Sequence, residues 1–394
     1  MESSLQILDK LLGSTTVASF LTEYWERRHL HATDSDVSGF QFDEADLEAR
    51  IRFSPISRGS GCRLVFHKHN VPASAFCEDG SESEVDYDKF LKMQQAGITA
   101  IANLAHNFSN RLLSSCRLLE QCLSARVHVN LYATPPSGRG FHAHYDTHDV
   151  FIVQVSGSKE WRLYHEAVKY PFPAMRGKYM TDTLPEPEPL TLRAGEMLYV
   201  PRGHVHAARA SQGEHSVHLT VGVTPLTWAD LLCEAVNTVS WSDASLRQGL
   251  PPRTLTNPDS VQNLQTTLLG RLDSLRTDAH LPEAIASLQH KKRIGDLLPA
   301  GRVPDSNVIG NLSPSMLLRA SEELSFSTDA EQLTLTTNSS EPGLPLKQRY
   351  RSTWEWISQQ TQFTPEQLSK HLPPNDNVLL FVRYLLINAC LRSA

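Results

Sequence analysis

The chain has 394 residues, a formal net charge of −6 at pH 7, 40% hydrophobic residues and 20% charged ones. That describes a globular chain long enough for two or three domains, not a disordered one. The acidic balance argues against broad nucleic-acid binding through phosphate contacts. No apolar run approaches a membrane span, and Met1-Glu-Ser-Ser-Leu-Gln6 lacks the basic-then-apolar pattern of a signal peptide. Residues 4 to 28 predict one or two short helices, with Phe20, Leu21, Tyr24 and Trp25 at helical spacing. A further short helix is expected within 40 to 51, a strand over 63 to 68, and an acidic loop over 77 to 86. Residues 88 to 123 read mostly as helix, interrupted near Gly97 by a strand at a barrel edge. Cys62, Cys77, Cys116, Cys122, Cys233 and Cys390 show no zinc-site or disulfide spacing, which points to a reducing cytoplasm.

From Val127 the pattern changes. Val127-His-Val-Asn-Leu-Tyr132 alternates like a strand, and Pro135-Pro-Ser-Gly-Arg-Gly140 is turn chemistry. The next stretch holds His142, His144, Asp146 and His148 within seven residues, then runs into β-branched and aromatic residues to Val155. On an extended strand, His144 and Asp146 point to the same side. Residues 159 to 164 are expected as the antiparallel neighbour of this strand, across a turn at Ser156-Gly-Ser158. Further strands are expected over 190–192, 197–200 and 216–223. Many short strands with glycine turns, closing on an interior site, describe a double-stranded β-helix, or jelly roll.

A third ligand is available in Gly195-Glu-Met-Leu-Tyr-Val-Pro-Arg-Gly-His-Val-His206. Two histidines and a carboxylate on one face of a metal leave positions open for further ligands, which suits non-haem Fe(II). A structural zinc site would be closed by four ligands, usually including Cys. The doublets His142-x-His144 and His204-x-His206 also allow a symmetrical four-histidine set.

His144-Tyr-Asp-Thr-His-Asp-Val-Phe-Ile-Val-Gln-Val-Ser-Gly-Ser-Lys-Glu-Trp-Arg-Leu-Tyr164, with Asn130-Leu-Tyr-Ala-Thr-Pro-Pro136 before it and Gly195 to His206 after it, resembles the JmjC-type ribosomal oxygenases. These are cupin-fold protein hydroxylases dependent on Fe(II) and 2-oxoglutarate. The resemblance is specific over about 125 to 225 and general elsewhere. It implies His144, Asp146 and His206 as metal ligands and catalytic centre. His142 and His204 then become rim groups. It implies that Lys159 pairs with the far carboxylate of 2-oxoglutarate, and that Asn130 and Tyr132 line the pocket. Thr220 is assigned to the same co-substrate pocket, sharing a strand face with His218. On spacing alone Lys159 is a surface lysine near a hairpin, Asn130 and Tyr132 are a plain strand face, and His218 is equally a satisfied core histidine.

After Pro225 the chain reads as helical. Val261, Leu264, Leu268, Leu272 and Leu275 form an apolar stripe at three- and four-residue steps. The resemblance makes this region a homodimer interface; plain packing within the chain is the competing reading. Residues 332 to 337 read as a strand, and 354–360, 364–372 and 375–388 as three helices of a winged-helix-like module. Its few cations favour protein contact or a structural role over DNA binding. The expected organisation is a mixed α and β chain: 1–226 JmjC catalytic domain with a helical lead-in, 227–300 helical dimerisation region, 301–394 C-terminal module. The expected activity is hydroxylation of an Arg or His side chain of a ribosomal or other protein, in the cytoplasm or, in a eukaryote, the nucleus or nucleolus. Hydroxylation of a peptide natural product, and a metal-binding cupin module without turnover, are the alternatives.

Overall fold

The computed structural model describes residues 4–42, 44–55, 61–66, 69–136, 143–175, 185–211, 213–250, 260–272, 280–292, 306–321, 324–328, 332–337, 344–388 and 390–394. The chain forms two compact units. One comprises Met1–Leu119, Val127–Val223 and Leu297–Ala394, and the other comprises Glu120–Arg126 and Thr224–Asp296.

The first unit opens with helix α1 (Ser4–Leu12), whose Ile7, Leu8, Leu11 and Leu12 are buried at helical spacing. Then follow β1 (Leu30–Ala32), α2 (Glu44–Phe53), β2 (Cys62–Phe66), β3 (His69–Asn70), α3 (Tyr87–Gln95), β4 (Thr99–Ala102), α4 (Asn110–Leu123) and β5 (Ala125–Thr134). The barrel strands are β6 (Asp149–Glu166), β7 (Glu188–Arg193), β8 (Met197–Val200), β9 (His204–Ala210) and β10 (Ser216–Pro225). Their order is β1-β8-β6-β10-β5-β4-β2-β3, with β7 and β9 both on β6.

Strand β6 belongs to two sheets. Its first half pairs antiparallel with β8 and β10, and its second half, from Ser158 and Lys159 on, pairs antiparallel with β7 and β9. The passage from one sheet to the other is at Gly157, which has φ +64°. A Cβ there would lie 1.8 Å from the His215 carbonyl oxygen, so only glycine allows β10 to approach so closely. This corrects the expected hairpin. Residues 159–164 are not the neighbour of the preceding strand across a turn; they are its continuation after a bend. His144 and Asp146 precede the strand, and His144 is held to His206 by an isolated antiparallel bridge.

The two sheets close on a core of Val150, Ile152, Trp161, Leu163, Leu192, Leu198 and Val200. Side chains of opposite parity face the other way: Phe151 and Tyr199 meet Phe20 at ring distances of 5.7 and 4.9 Å. Fully burying side chains of this size contributes about 1.5–3 kcal/mol each, so the lead-in is an integral layer of the barrel.

The chain ends in β11 (Leu318–Ala320), β12 (Leu324–Thr328), β13 (Gln332–Thr337), β14 (Leu344–Lys347), α5 (Arg351–Ser358), a helical turn at Pro365–Leu368, α6 (Val378–Ile387) and β15 (Leu391–Ser393). The order β12-β13-β14 forms a small antiparallel sheet, and β11 pairs with β15. This segment shares a core with the lead-in: Ala49 and Phe53 of α2 are buried among Tyr350, Phe381 and Tyr384. The Phe53–Phe381 rings are 5.0 Å apart, edge to face. Buried Lys347 donates to the Val85 carbonyl at 2.8 Å, and Arg383 pairs with Asp46 at 2.8 Å.

The second unit is helical, with segments Trp228–Ser242, Ser260–Leu272 and Leu281–Lys292. Thr227 and Asp230 form a capping box that starts the first of these. Glu234 accepts from Ser287 at 2.6 Å and from Lys291 at 2.7 and 2.8 Å, tying the first to the last. Trp228 and Trp241 are 81% and 88% exposed, and Leu268 and Leu269 are 58% and 59% exposed. Val261, Leu272 and Leu275 of the expected stripe lie outside the described side chains.

Candidate metal centre

His144 and His206 exchange backbone hydrogen bonds, His144 N to His206 O at 3.1 Å and His206 N to His144 O at 2.8 Å. The Gly203 amide donates to the Asp146 carbonyl at 2.9 Å. These bonds fasten the loop before β6 to the start of β9 and bring three side chains together. Ligand atoms of His144, Asp146 and His206 lie within 4.8 Å of one another. The two imidazoles are 4.6 Å apart, and His206 Nε2 is 3.6 Å from an Asp146 carboxylate oxygen.

His206 is buried, and its Nδ1 lies 3.1 Å from the His204 carbonyl. Donation there fixes the tautomer and leaves the Nε2 lone pair facing Asp146. Burial, with nearby His144, holds the His206 pKa well below its ordinary value, despite the opposing Asp146 charge. A neutral imidazole is the form a metal needs. Two imidazoles and one carboxylate from two chain segments therefore fit a divalent transition metal with positions left over. His204 stands outside this group; His142 lies outside the described residues.

Further buried polar groups lie along β6. Leu163 pairs with His206, and Lys159, four residues back, pairs with Ala210. That is roughly 13 Å of strand. Lys159 is buried and donates to Thr134 Oγ1 at 3.2 Å. Burial pushes its ammonium down to about 7. Among the described residues no carboxylate pairs with it. Close by, Trp161 Nε1 and His218 Nδ1 are buried without a hydrogen-bond partner. A buried cation flanked by two unsatisfied ring nitrogens fits a small anionic ligand such as a carboxylate.

Tyr132 stacks on His218, ring centroids 4.9 Å apart and 9° from parallel, while Trp161 meets His218 edge-on at 5.8 Å. Burial first, then the Asp146 charge, pushes the Tyr132 phenol up to about 12, so it stays protonated. Burial and the neighbouring Lys159 charge keep His218 neutral far below its ordinary pKa. Asn130 lies on the same β5 face, but its Oδ1 accepts from Leu104 N at 3.0 Å. Thr220 is half-buried, opposite Ile152 in the β6–β10 register.

Sequence reasoning missed two groups. Thr134 shares the parity of Asn130 and Tyr132, a signal that could have found it. Asp149 had no such signal. It is fully buried, accepts from Tyr199 OH at 2.8 Å and from Arg202 N at 3.3 Å, and burial pushes its carboxyl up to about 7. It clamps the turn that leads into His206.

Residues 103–231 match the model of the JmjC domain. Among curated proteins the chain is 27% identical to ribosomal oxygenase 2 of Rattus norvegicus over 305 residues, covering 74% of this chain and 64% of that protein. It is 27% identical to ribosomal oxygenase 1 of Homo sapiens over 317 residues, covering 75% of this chain and 48% of that protein. The chain thus spans between about half and just under two thirds of these relatives' length. Among solved structures, Escherichia coli ycfD aligns over 96% of this chain and 98% of its own, with 16% identity and a TM-score of 0.46. The chain is similar to the JmjC-type ribosomal oxygenases, as its motifs read.

Proposed function

We propose that this protein is an Fe(II)- and 2-oxoglutarate-dependent oxygenase that hydroxylates a side chain, Arg or His, of a ribosomal or other protein. The carrying observation is the His144–Asp146–His206 group with the buried Lys159 four residues along β6 from Leu163, the partner of His206. His144, Asp146 and His206 would hold the iron. Lys159 and Thr134 would hold the far carboxylate of 2-oxoglutarate, with Tyr132, His218 and Thr220 lining the space between. When bound, Fe(II) supplies the redox chemistry by which O₂ and 2-oxoglutarate, releasing succinate and CO₂, put one oxygen atom into a C–H bond.

The chain's own part is positioning. His206 is kept neutral with its lone pair aimed at the carboxylate of Asp146. Lys159 offers a charge-assisted contact whose strength depends on the absence of water. Trp161 and Leu163 exclude water between the two ends. The names of the relatives, among them the bifunctional lysine-specific demethylase and histidyl-hydroxylase NO66 of Dictyostelium discoideum, support a protein target. In the same reading, 1–226 is the catalytic domain, 227–300 joins two chains and 301–394 is a winged-helix-like module; the exposed Trp228, Trp241, Leu268 and Leu269 support the joining role. Among the described residues no helix is long and apolar enough to cross a membrane, and the cytoplasm or nucleus is the proposed place of action.

The test is anaerobic titration with Fe(II) and 2-oxoglutarate followed by admission of air. Binding of both and succinate release support an oxygenase. Metal binding without 2-oxoglutarate binding or succinate indicates a cupin module without turnover.

A further inference from the structure

The β5 face beside Lys159 has a second end. On β5, His128, Asn130, Tyr132 and Thr134 share one face, and the step from Thr134 back to His128 covers roughly 20 Å of strand. Thr134 holds Lys159 at one end. On the neighbouring β10, His218, Thr220 and Gly222 share a face, with His218 opposite Gln154 and Gly222 opposite Val150. Both strands therefore run from the Lys159 end toward the start of β6, where the loop carrying Asp146 and His148 enters.

At this second end the sequence pairs a large residue with the smallest one. A Cβ on Gly222 would lie 2.3 Å from His128 Cε1, 2.6 Å from Nε2 and 3.0 Å from Nδ1. The His128 imidazole occupies the volume that any side chain at 222 would need. It also meets His148 edge to face, ring centroids 5.0 Å apart. His148 is near enough to the centre that its charge helps hold the His206 pKa down, and its Nδ1 is buried without a hydrogen-bond partner. Two imidazoles thus meet beside the loop that carries Asp146, at the other end of this β5 face from Lys159.

We propose that His128, seated over Gly222 and against His148, is a specificity-determining residue that hydrogen-bonds the polar, planar side chain of the target residue. This rests on the oxygenase reading. If the co-substrate takes the Lys159 end, the target reaches the metal from the other end, where His128 and His148 stand. An imidazole can donate from one ring nitrogen and accept at the other, which suits an imidazole or guanidinium partner. A wall built to hydrogen-bond its ligand rejects one that lacks the matching group. Gly222 is the permissive half of the device, since a methyl group there displaces the ring.

The experiment measures oxygen added to protein per succinate formed. The probe is total ribosomal protein from cells lacking this gene, read by intact mass as the gain of one oxygen atom. His128→Phe keeps a flat ring over Gly222 and removes the nitrogens; it is expected to lower the ratio by about five- to ten-fold, the value of one hydrogen bond. His128→Ala is expected to do the same. Gly222→Ala is expected to lower the ratio when His128 is present and to add nothing in the His128→Ala background, because it acts only by moving that ring. Wild-type coupling in His128→Phe overturns the proposal, since the ring then only fills space. A further loss from Gly222→Ala in the His128→Ala background overturns it as well. If His128→Ala fails to fold, His128→Phe and Gly222→Ala decide the matter. A wild type that adds no oxygen to any ribosomal protein overturns the oxygenase reading, and this inference with it, before any variant is compared.

Discussion

At the scale of single residues, the centre works by desolvation. Lys159 carries a desolvation cost: its ammonium is buried with a hydroxyl as its hydrogen-bond acceptor, and its pKa falls to about 7. A dicarboxylate placed against it would recover that cost. Lys159→Ala is therefore expected to raise the 2-oxoglutarate requirement ten- to a hundred-fold, corresponding to about 1.5–3 kcal/mol for a charged hydrogen bond, with little change in metal affinity. Lys159→Arg should be milder, since a guanidinium also grips a carboxylate. The sign of the pH dependence follows. The free site has its pKa near 7, and a bound carboxylate raises it. Below pH 7 the ammonium is charged with or without ligand. Above pH 7 each binding event takes up a proton, so the 2-oxoglutarate requirement should climb by up to about ten-fold per pH unit until the ligand-bound pKa is reached. Steady-state assays from pH 6 to 9 measure it; a flat or falling requirement contradicts the assignment.

At the scale of elements, β6 links the two sheets: one strand serves both, and Lys159 and Leu163, the partner of His206, are positions on it. Gly157 makes that possible, and Gly157→Ala should be severe: a side chain at φ +64° carries about 1–3 kcal/mol of strain, before the clash with the His215 carbonyl. A thermal melt checks this, and a variant melting with wild type contradicts the bend's importance. The same element marks where sequence reading stopped. His144, Asp146 and His206 were legible as chemistry from their types and spacing; Lys159 and Tyr132 came from the resemblance alone, since spacing reads them as a surface lysine and a plain strand face. The hairpin at Ser156–Ser158 was misread, because glycine between two polar residues signals a turn and a sheet-switching bend alike. The short β1 and the strand character of His204–Ala210 were also missed; three residues of strand, and a run with three alanines and one β-branched residue, carry little β signal against the pairing that creates them. Asn130 was legible as a strand-face residue, but its bond to Leu104 depends on a loop that no local pattern could place.

At the scale of the whole molecule, the C-terminal segment and the N-terminal lead-in share one core. Phe53 lies between the rings of Tyr350, Phe381 and Tyr384. Phe53→Ala is expected to cost about 3–5 kcal/mol and to lower a melting transition that the lead-in and residues 344–394 share; two separate transitions, one unchanged, would show that the C-terminal module folds independently. The helical unit presents Leu268 and Leu269 to solvent. Wild type is therefore expected to sediment as a dimer at micromolar concentration, and Leu268→Glu with Leu269→Glu as a folded monomer with unchanged circular dichroism. A monomeric wild type rejects the dimer.

On the proposed reading, His144, Asp146 and His206 hold one metal ion to which the co-substrate site is coupled. Anaerobic equilibrium dialysis with Fe(II) and labelled 2-oxoglutarate tests it most directly. Wild type should bind one ion per chain and bind 2-oxoglutarate only with the ion present, while folded Asp146→Ala should lose both. Undiminished Fe(II) binding by Asp146→Ala would contradict the account.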